Sequence, residues 1–403
     1  MTESRGSLHG IRVVEAGQMI AGPFCGHLLA DHGAEVIKVE APGEGDVMRR
    51  WGGMYKGLGL YWPLMAREKQ SVTLDLRRAE GQELLRRLLA TADVFVENFR
   101  PGTLERWGLG WEDLHALNPR LVMVRVTGYG QTGPYREKAG FGAIGEALSG
   151  FRYLSGEPGR PPVRVGISIG DSLAATHGFT GALLALFHRD RPGGSGRGQV
   201  VDVGIYEAMW AYMESILPEY EKLGEVRQPT GSILPRLAPS NVYPTSDGDW
   251  VVMGANQDTV FRRLAVAIGH PQWIEPGAPF STFKGRGDGQ TELDVAIAEW
   301  TSQRPTDQVL QLLDAAGVPA GRIYTAADIS GDPHFAAREM VIGLPEPGLG
   351  GETVRMQGVV PKLSETPGRV ARGGPILGEH NEVVWGGLVG AEEYARLCAA
   401  GVI

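Results

Sequence analysis

The sequence predicts an α/β protein. Its larger part is a parallel sheet with helices on its faces, and a smaller α/β domain follows. Two observations carry this. Short apolar runs alternate with helical stretches through the first half, which is the rhythm of βαβ units. Periodicity then fades between Gly224 and Pro239, where Pro229, Gly231 and Pro235 fall close together, and a second set of strand and helix signals begins. At 403 residues the chain is long enough for one large domain or two.

The elements follow in order. Residues 11–16 read as a buried strand, and 23–32 as a helix with Pro23 suited to its first turn. Residues 35–39 are a second strand, 79–90 an amphipathic helix and 93–97 a third strand. A short helix over 111–117 stops at Asn118-Pro119, and 121–126 is a further strand. The Gly/Pro-rich stretch 156–162 is a loop leading into a strand-like apolar run that ends near Ile169. A long helical pattern follows, through Ala174, Gly178, Ala182, Leu186 and Phe187. Residues 190–198 form another loop, and 205–223 read as one helix rich in apolar and aromatic residues. In the second part, 249–254 and 259–268 mark the smaller domain, which extends to about Ile323. From Ala326 the chain reads as extended and loop-rich, ending in a helix over 391–400. The expected division is residues 1–224, 225–325 and 326–403.

Composition narrows the function. A net charge of −8 argues against a nucleic-acid binder, though not against a local basic pocket for phosphates. Two cysteines, Cys25 and Cys398, lie far apart and make neither a disulfide framework nor a metal cluster. The first residues carry no apolar signal core, and no stretch is long and apolar enough to span a bilayer. A reducing cytoplasm is the expected compartment, with no metal and no membrane.

Asp171 is the most informative residue. It follows Gly170 at the junction between the apolar run and the long helical pattern. On these residues alone the default role is an N-cap, the carboxylate accepting backbone N–H bonds from the first turn. The other role is a reactive carboxylate at a helix N-terminus, with a glycine beside it that leaves room for an electrophile.

Several segments together tip that balance. Val13-Val14-Glu15-Ala16-Gly17-Gln18 is followed by Ala21-Gly22-Pro23, and Val36-Ile37-Lys38-Val39-Glu40 by Pro42-Gly43-Glu44-Gly45-Asp46. Next come Val96-Glu97-Asn98-Phe99-Arg100-Pro101-Gly102 and Thr127-Gly128-Tyr129-Gly130-Gln131-Thr132-Gly133-Pro134. Gly170-Asp171 and Gly198-Gln199-Val200-Val201-Asp202-Val203 complete the series. In this order the segments resemble the class III CoA-transferases (the CaiB/BaiF type), and the likeness covers nearly the whole chain. The resemblance implies a Rossmann-like large domain and an interlocked homodimer in which the tail returns to the first domain. It implies a CoA thioester as substrate, a carboxylic acid as the other reactant and no permanently bound cofactor. Asp171 would be the nucleophile, passing through a mixed anhydride to an aspartyl-CoA thioester, chemistry that splits one hard exchange into easier steps. Gln18 would steady the acyl intermediates with its amide. Asn98, Phe99 and Arg106 match positions at the CoA pocket, and Leu74 and Arg77 align with further CoA contacts.

Three departures from the family pattern stand out. Ala41 occupies a position where many members carry a phosphate-contacting arginine. The segment from Gly140 to Glu146 has glycine and alanine where formyl-transferring relatives have tyrosine and glutamate, and Glu146 falls about one helical turn further on. A glycine-only loop is replaced by Gly254-Ala255-Asn256-Gln257, whose Asn256 and Gln257 offer amides to a polar acyl group. These departures resemble the branch that uses succinyl-CoA with C4–C5 dicarboxylates such as malate, citramalate, itaconate or mesaconate. A bound dicarboxylate needs a second anion site, for which Arg49, Arg50, Arg164 and Arg236 are the candidates. Two alternatives remain at this point. An acyl-CoA racemase would need a His/Asp pair, and residues 141–146 hold no histidine. A nicotinamide oxidoreductase would use Glu40 after a glycine-rich turn, but Gly17, Gly22 and Gly26 lack the G-x-G-x-x-G spacing.

Overall fold

The computed structural model describes residues 6–403. They form two compact units. One contains the chain up to Arg152, then Arg164–Pro218 and Pro333–Ile403; the other contains Tyr153–Val163 and Glu219–Asp332.

The first unit is built on six strands: β1 (Arg12–Glu15), β2 (Glu35–Glu40), β3 (Lys69–Thr73), β4 (Val94–Glu97), β5 (Val122–Thr127) and β6 (Val200–Gly204). Every neighbouring pair is parallel. The spatial order is β3-β2-β1-β4-β5-β6. The chain therefore starts mid-sheet, steps to one edge, and returns to build the other half. The reversal falls between β1 and β4, where crevices open at the carboxyl ends of doubly wound strands.

Successive side chains of a strand point to opposite faces. Val13 and Val14 are both fully buried because each face has its own helical layer. On one face, helices α1 (Ala21–Asp31) and α4 (Ile169–Asp190) bring Cys25, Leu29, Ala174 and Ala182 against Val13, Val94 and Val122. On the other, α2 (Ala79–Leu89) packs Leu84, Leu85 and Leu88 against Val14, Ile37 and Phe95. Burial on both faces explains why the strands read as continuous apolar runs. Between these helices in sequence lies α3 (Gly142–Leu148), and α5 (Ile205–Trp210) follows β6 directly.

The C-terminal segment belongs to the same unit. Trp385, Leu397 and Val402 enter the core beside α2. The segment also seals the free edge of β3. Ser71 donates its backbone N–H to His380 Nδ1 at 3.2 Å, and Thr73 donates to Asn381 Oδ1 at 2.7 Å. Trp385 Nε1 donates back to the Thr73 carbonyl at 3.0 Å. An exposed parallel edge would invite pairing with other chains, and these contacts remove it.

The second unit has an antiparallel sheet in which Trp250–Gly254 lies between Ser240–Pro244 and Ala320–Arg322. Helices Asp258–Ala267, Gln290–Ser302 and Thr306–Ala315 close over it around Phe261, Leu264, Leu293, Ile297 and Val309.

Three expectations need correction. Residues 165–169 are not a strand: Val165 and Ile167 are half-exposed or more, Gly166 has φ +86, and the run pairs with no strand among the described residues. Alternating β-branched residues without a partner ladder do not make a strand. Nor is 205–223 one helix. It breaks into Ile205–Trp210 and Ile216–Leu223, with Glu214 at φ +50 between them. The stretch from Ala326 is more ordered than read, holding an antiparallel hairpin of Val341–Glu346 with Glu352–Gln357.

Candidate active site

Two adjoining clefts lie at the switch point between β1 and β4. The larger, about 450 Å³, contains Asp171; the smaller, about 230 Å³, runs over Ala41, Leu74, Arg77 and Trp107. Gln18 and Phe99 line both.

The turn after β1 carries Gln18, and the turn after β4 carries Asn98. The parallel pairing of Val13 with Val94 and Glu15 with Val96 brings these turns side by side. Gln18 donates its N–H to Asn98 Oδ1 at 2.9 Å, and Asn98 Nδ2 donates to the Gln18 carbonyl at 2.8 Å. Gly17 permits this closeness, since a Cβ there would stand 3.1 Å from Asn98 Oδ1. From below, Lys38 Nζ donates to the Gly17 carbonyl at 2.9 Å and to Glu15 at 2.8 Å, and it pairs with Asp46 at 2.8 Å. Burial works against the Lys38 charge, but Asp46, Glu15 and Glu40 outweigh it and its pKa is raised. Asp46 in turn accepts from Met19 N at 3.1 Å. A buried ionic network thus fixes the backbone of Gln18 and leaves its side-chain amide to the clefts.

Asp171 is neither after a strand nor an N-cap. Ser168 occupies the cap position of α4 without a side-chain bond, so Asp171 is the third helical residue, within the turn whose N–H groups lack intrahelical partners. The neighbouring α3 runs alongside, with Gly142 against the carboxylate. A Cβ on Gly142 would lie 2.2 Å from Asp171 Oδ2, so no larger residue fits without moving the acid. Burial raises the Asp171 pKa to about 6, helped by the negative charge of Glu146 and opposed by Arg164. Glu146, also on α3, is 1% exposed. Its Oε2 accepts from Arg152 at 2.8 Å, while Oε1 is buried with no partner among the described residues. A half-buried carboxylate held at reduced acidity, facing an open cleft, can attack an electrophilic carbonyl.

The other expected residues fall as follows. Phe99 stands edge-on to Trp107 at 5.5 Å. Leu74 is 2% exposed in the core yet contributes to the smaller cleft wall. Arg77 projects into solvent at the rim of that cleft and pairs with Asp75 at 2.9 Å. Arg106 is exposed and donates to Thr103 Oγ1 at 3.1 Å. Asn98 lines the larger cleft and engages its amide with the backbone of Gln18. Asn256 and Gln257 belong to the second unit, where the Asn256 carbonyl accepts from Arg286 at 2.8 Å and Gln257 precedes the helix Asp258–Ala267. Sequence reasoning missed Thr127, whose hydroxyl is buried without a partner among the described residues at the wall of the larger cleft. Its only signal was its place at the head of the Thr127-Gly128-Tyr129-Gly130 motif. Phe141, 67% exposed over the same cleft, was missed as well. Among the described residues no cluster of His, Cys, Asp and Glu has metal-binding form, and no helix is long and apolar enough to cross a membrane.

Known proteins resemble this chain over most of its length. Residues 8–381 match the family model for CoA-transferase family III. The chain is 58% identical over 387 residues to a succinyl-CoA–D-citramalate CoA-transferase of Chloroflexus aurantiacus, covering 96% of this chain and 95% of that protein. It is 42% identical over 380 residues to the beta subunit of a succinyl-CoA–L-malate CoA-transferase of the same organism, covering 94% and 93%. Among solved structures, a CaiB/BaiF family protein from Brucella suis superposes with a TM-score of 0.82 at 34% identity, covering 95% of this chain and all of that one.

Proposed function

The chain belongs to CoA-transferase family III, and from that premise we propose that it moves CoA from succinyl-CoA to a C4–C5 dicarboxylate, D-citramalate before others. The observation that carries the substrate is the 58% identity, over 96% of the chain, to a transferase named for that pair. The nearby malate relative keeps the donor and a four-carbon acceptor.

The mechanism assigns the nucleophile to Asp171. One carboxylate oxygen attacks the thioester carbonyl of succinyl-CoA. The C–S bond breaks, giving a succinyl-aspartyl anhydride and CoA thiolate. The thiolate attacks the aspartyl carbonyl and expels succinate, leaving an aspartyl-CoA thioester. The acceptor carboxylate then attacks that carbonyl, releasing thiolate and forming the acceptor anhydride. Thiolate attack on the acceptor carbonyl gives the new acyl-CoA and frees Asp171. Activation passes between thioester and anhydride throughout, so no ATP is consumed and no permanent cofactor has a step to perform. Gln18, which lines both clefts, is assigned to donate to the oxyanion formed in each attack. Phe99, Leu74 and Arg77 give the CoA chain a wall and a rim charge in the smaller cleft; Arg106 is assigned to a CoA phosphate by the family likeness. The racemase alternative lacks its base, because no histidine lines the larger cleft among the described residues.

We also assign a cytoplasmic homodimer. Leu184 and Phe187 are each 65% exposed on α4, and Trp210 at the end of α5 and Tyr212 just after it are exposed as well. A second chain covering these residues accounts for their exposure. Sedimentation showing a folded, active monomer at nanomolar concentration overturns the dimer. The function is tested by incubation with succinyl-CoA followed by mass spectrometry of the Asp171 peptide, then by a panel of dicarboxylate acceptors. Covalent CoA on that peptide, discharged fastest by D-citramalate, is the expected result; its absence overturns the mechanism.

A further inference from the structure

A dicarboxylate presents one carboxyl group to Asp171 and must place the other somewhere. The larger cleft holds only two ionisable side chains among the described residues, Asp171 and Arg164. A distal carboxylate entering beside an acid needs a cation, because leaving a charge uncompensated in a partly desolvated site is expensive.

The structure separates the four arginines that the sequence left open. Arg49 is consumed: it grips Glu40 with Nε at 2.8 Å and Nη2 at 2.7 Å, donates to the Pro375 carbonyl at 3.0 Å, and stacks 3.7 Å over Trp62. Arg236 pairs with Glu225 in the second unit. Arg50 ends the short helix Val47–Arg50 and lines neither cleft. Of the four, Arg164 combines a place in the cleft wall with a guanidinium in no ion pair among the described residues: its one hydrogen bond among them is a long one to Ser168 Oγ at 3.5 Å, and its charge reaches Asp171 across the cleft. Ser168 lines the same cleft and adds a hydroxyl beside the cation.

We propose that Arg164, with Ser168 beside it, is the subsite for the distal carboxylate of the acyl donor and acceptor, and so determines specificity for dicarboxylates. The guanidinium fork suits a planar carboxylate, which it can bind through two N–H bonds. The assignment rests on the dicarboxylate reading above.

The test compares wild type, Arg164→Gln and Arg164→Lys with two donors, succinyl-CoA and butyryl-CoA, against one common acceptor. Arg164 is exposed, so the variants should fold, and CoA affinity measured by calorimetry should stay within about twofold of wild type. Wild type is expected to prefer succinyl-CoA by about 100-fold or more in kcat/KM, as sites built for a polar group do. In Arg164→Gln that preference should collapse to within about fivefold, succinyl-CoA turnover falling far more than butyryl-CoA turnover, with both donors read at one pH so that any change in Asp171 ionisation is common to them. Arg164→Lys should recover part of it, since the charge remains and the fork is lost. If wild type discriminates and Arg164→Gln discriminates equally, the subsite is wrong and the dicarboxylate reading stands. If wild type itself fails to discriminate, the dicarboxylate reading falls, and this subsite with it.

Discussion

Replacing Asp171 by asparagine should abolish transfer and at the same time stabilise the fold. The carboxyl group sits among apolar and anionic surroundings that lift its pKa from 3.8 to about 6. A shift of about two units corresponds to about 3 kcal/mol at roughly 1.4 kcal/mol per unit. The sign follows from proton binding. A carboxyl whose folded pKa exceeds its unfolded value holds more protons when folded, so its penalty is absent below about pH 4 and complete above about pH 6. Asparagine keeps the shape and removes the charge. For 403 residues, an unfolding entropy of roughly 2.1 cal/mol/K per residue gives a slope of about 0.85 kcal/mol per degree, so the gain in Tm is about 3 °C. The assay is differential scanning calorimetry of both proteins at pH 7.5 and pH 4.5, with turnover measured beside it. The gain should be complete at pH 7.5 and shrink to about a third, roughly 1 °C, at pH 4.5. An inactive variant with unchanged or lower Tm at pH 7.5 would refute the strained-carboxylate reasoning. Retention of even a tenth of wild-type turnover would remove Asp171 as nucleophile.

Other perturbations test the same site. Gly142→Ala should cut kcat at least about 100-fold in a folded protein, because the added methyl claims the space of Asp171 Oδ2; near-normal turnover would show that α3 yields freely. In wild type, kcat/KM should fall about tenfold per pH unit below about pH 6, and Glu146→Gln should move that limb to lower pH by removing a like charge. A pH–rate profile that stays put in the Glu146 variant would contradict this coupling. Asn98→Ala should lower kcat about tenfold or more with CoA affinity little changed, since the amide fixes the backbone of Gln18. Equilibrium dialysis against CoA separates that outcome from a binding defect.

Local pattern was enough for strands buried on both faces, such as β1, β4 and β5, because double burial writes an apolar run into the sequence. It was not enough for β3. Lys-Gln-Ser-Val-Thr looks polar, yet Lys69 is buried against Glu15 at 2.7 Å and Ser71 against Glu40 at 2.5 Å. Only the fold supplies those acids. The opposite error occurred before Asp171, where valine and isoleucine alternate without a neighbouring strand to pair with. Asp171 itself was legible from its motif, but the shape of its surroundings was not. Gly142 and Glu146 reach it through the register of α3 beside α4, and Gln18 meets Asn98 only because strand order puts β1 next to β4. The choice of Arg164 over Arg49 likewise depended on seeing which guanidinium was already occupied.

The contacts that His380, Asn381 and Trp385 make with the outer strand carry a consequence for biosynthesis. Strand β3 emerges from the ribosome more than 300 residues before the segment that covers it, since its bonds to Asn381 and Trp385 span 308 and 312 positions. Throughout translation the nascent large unit therefore presents an open edge and an unfilled slot for the Trp385 ring. A chain that stops before His380 lacks every one of these bonds and leaves the β3 edge open. Such a chain is bound to pair edge-to-edge with its neighbours or be held by chaperones. Closure of the sheet thus waits on the late-made segment that carries His380, Asn381 and Trp385.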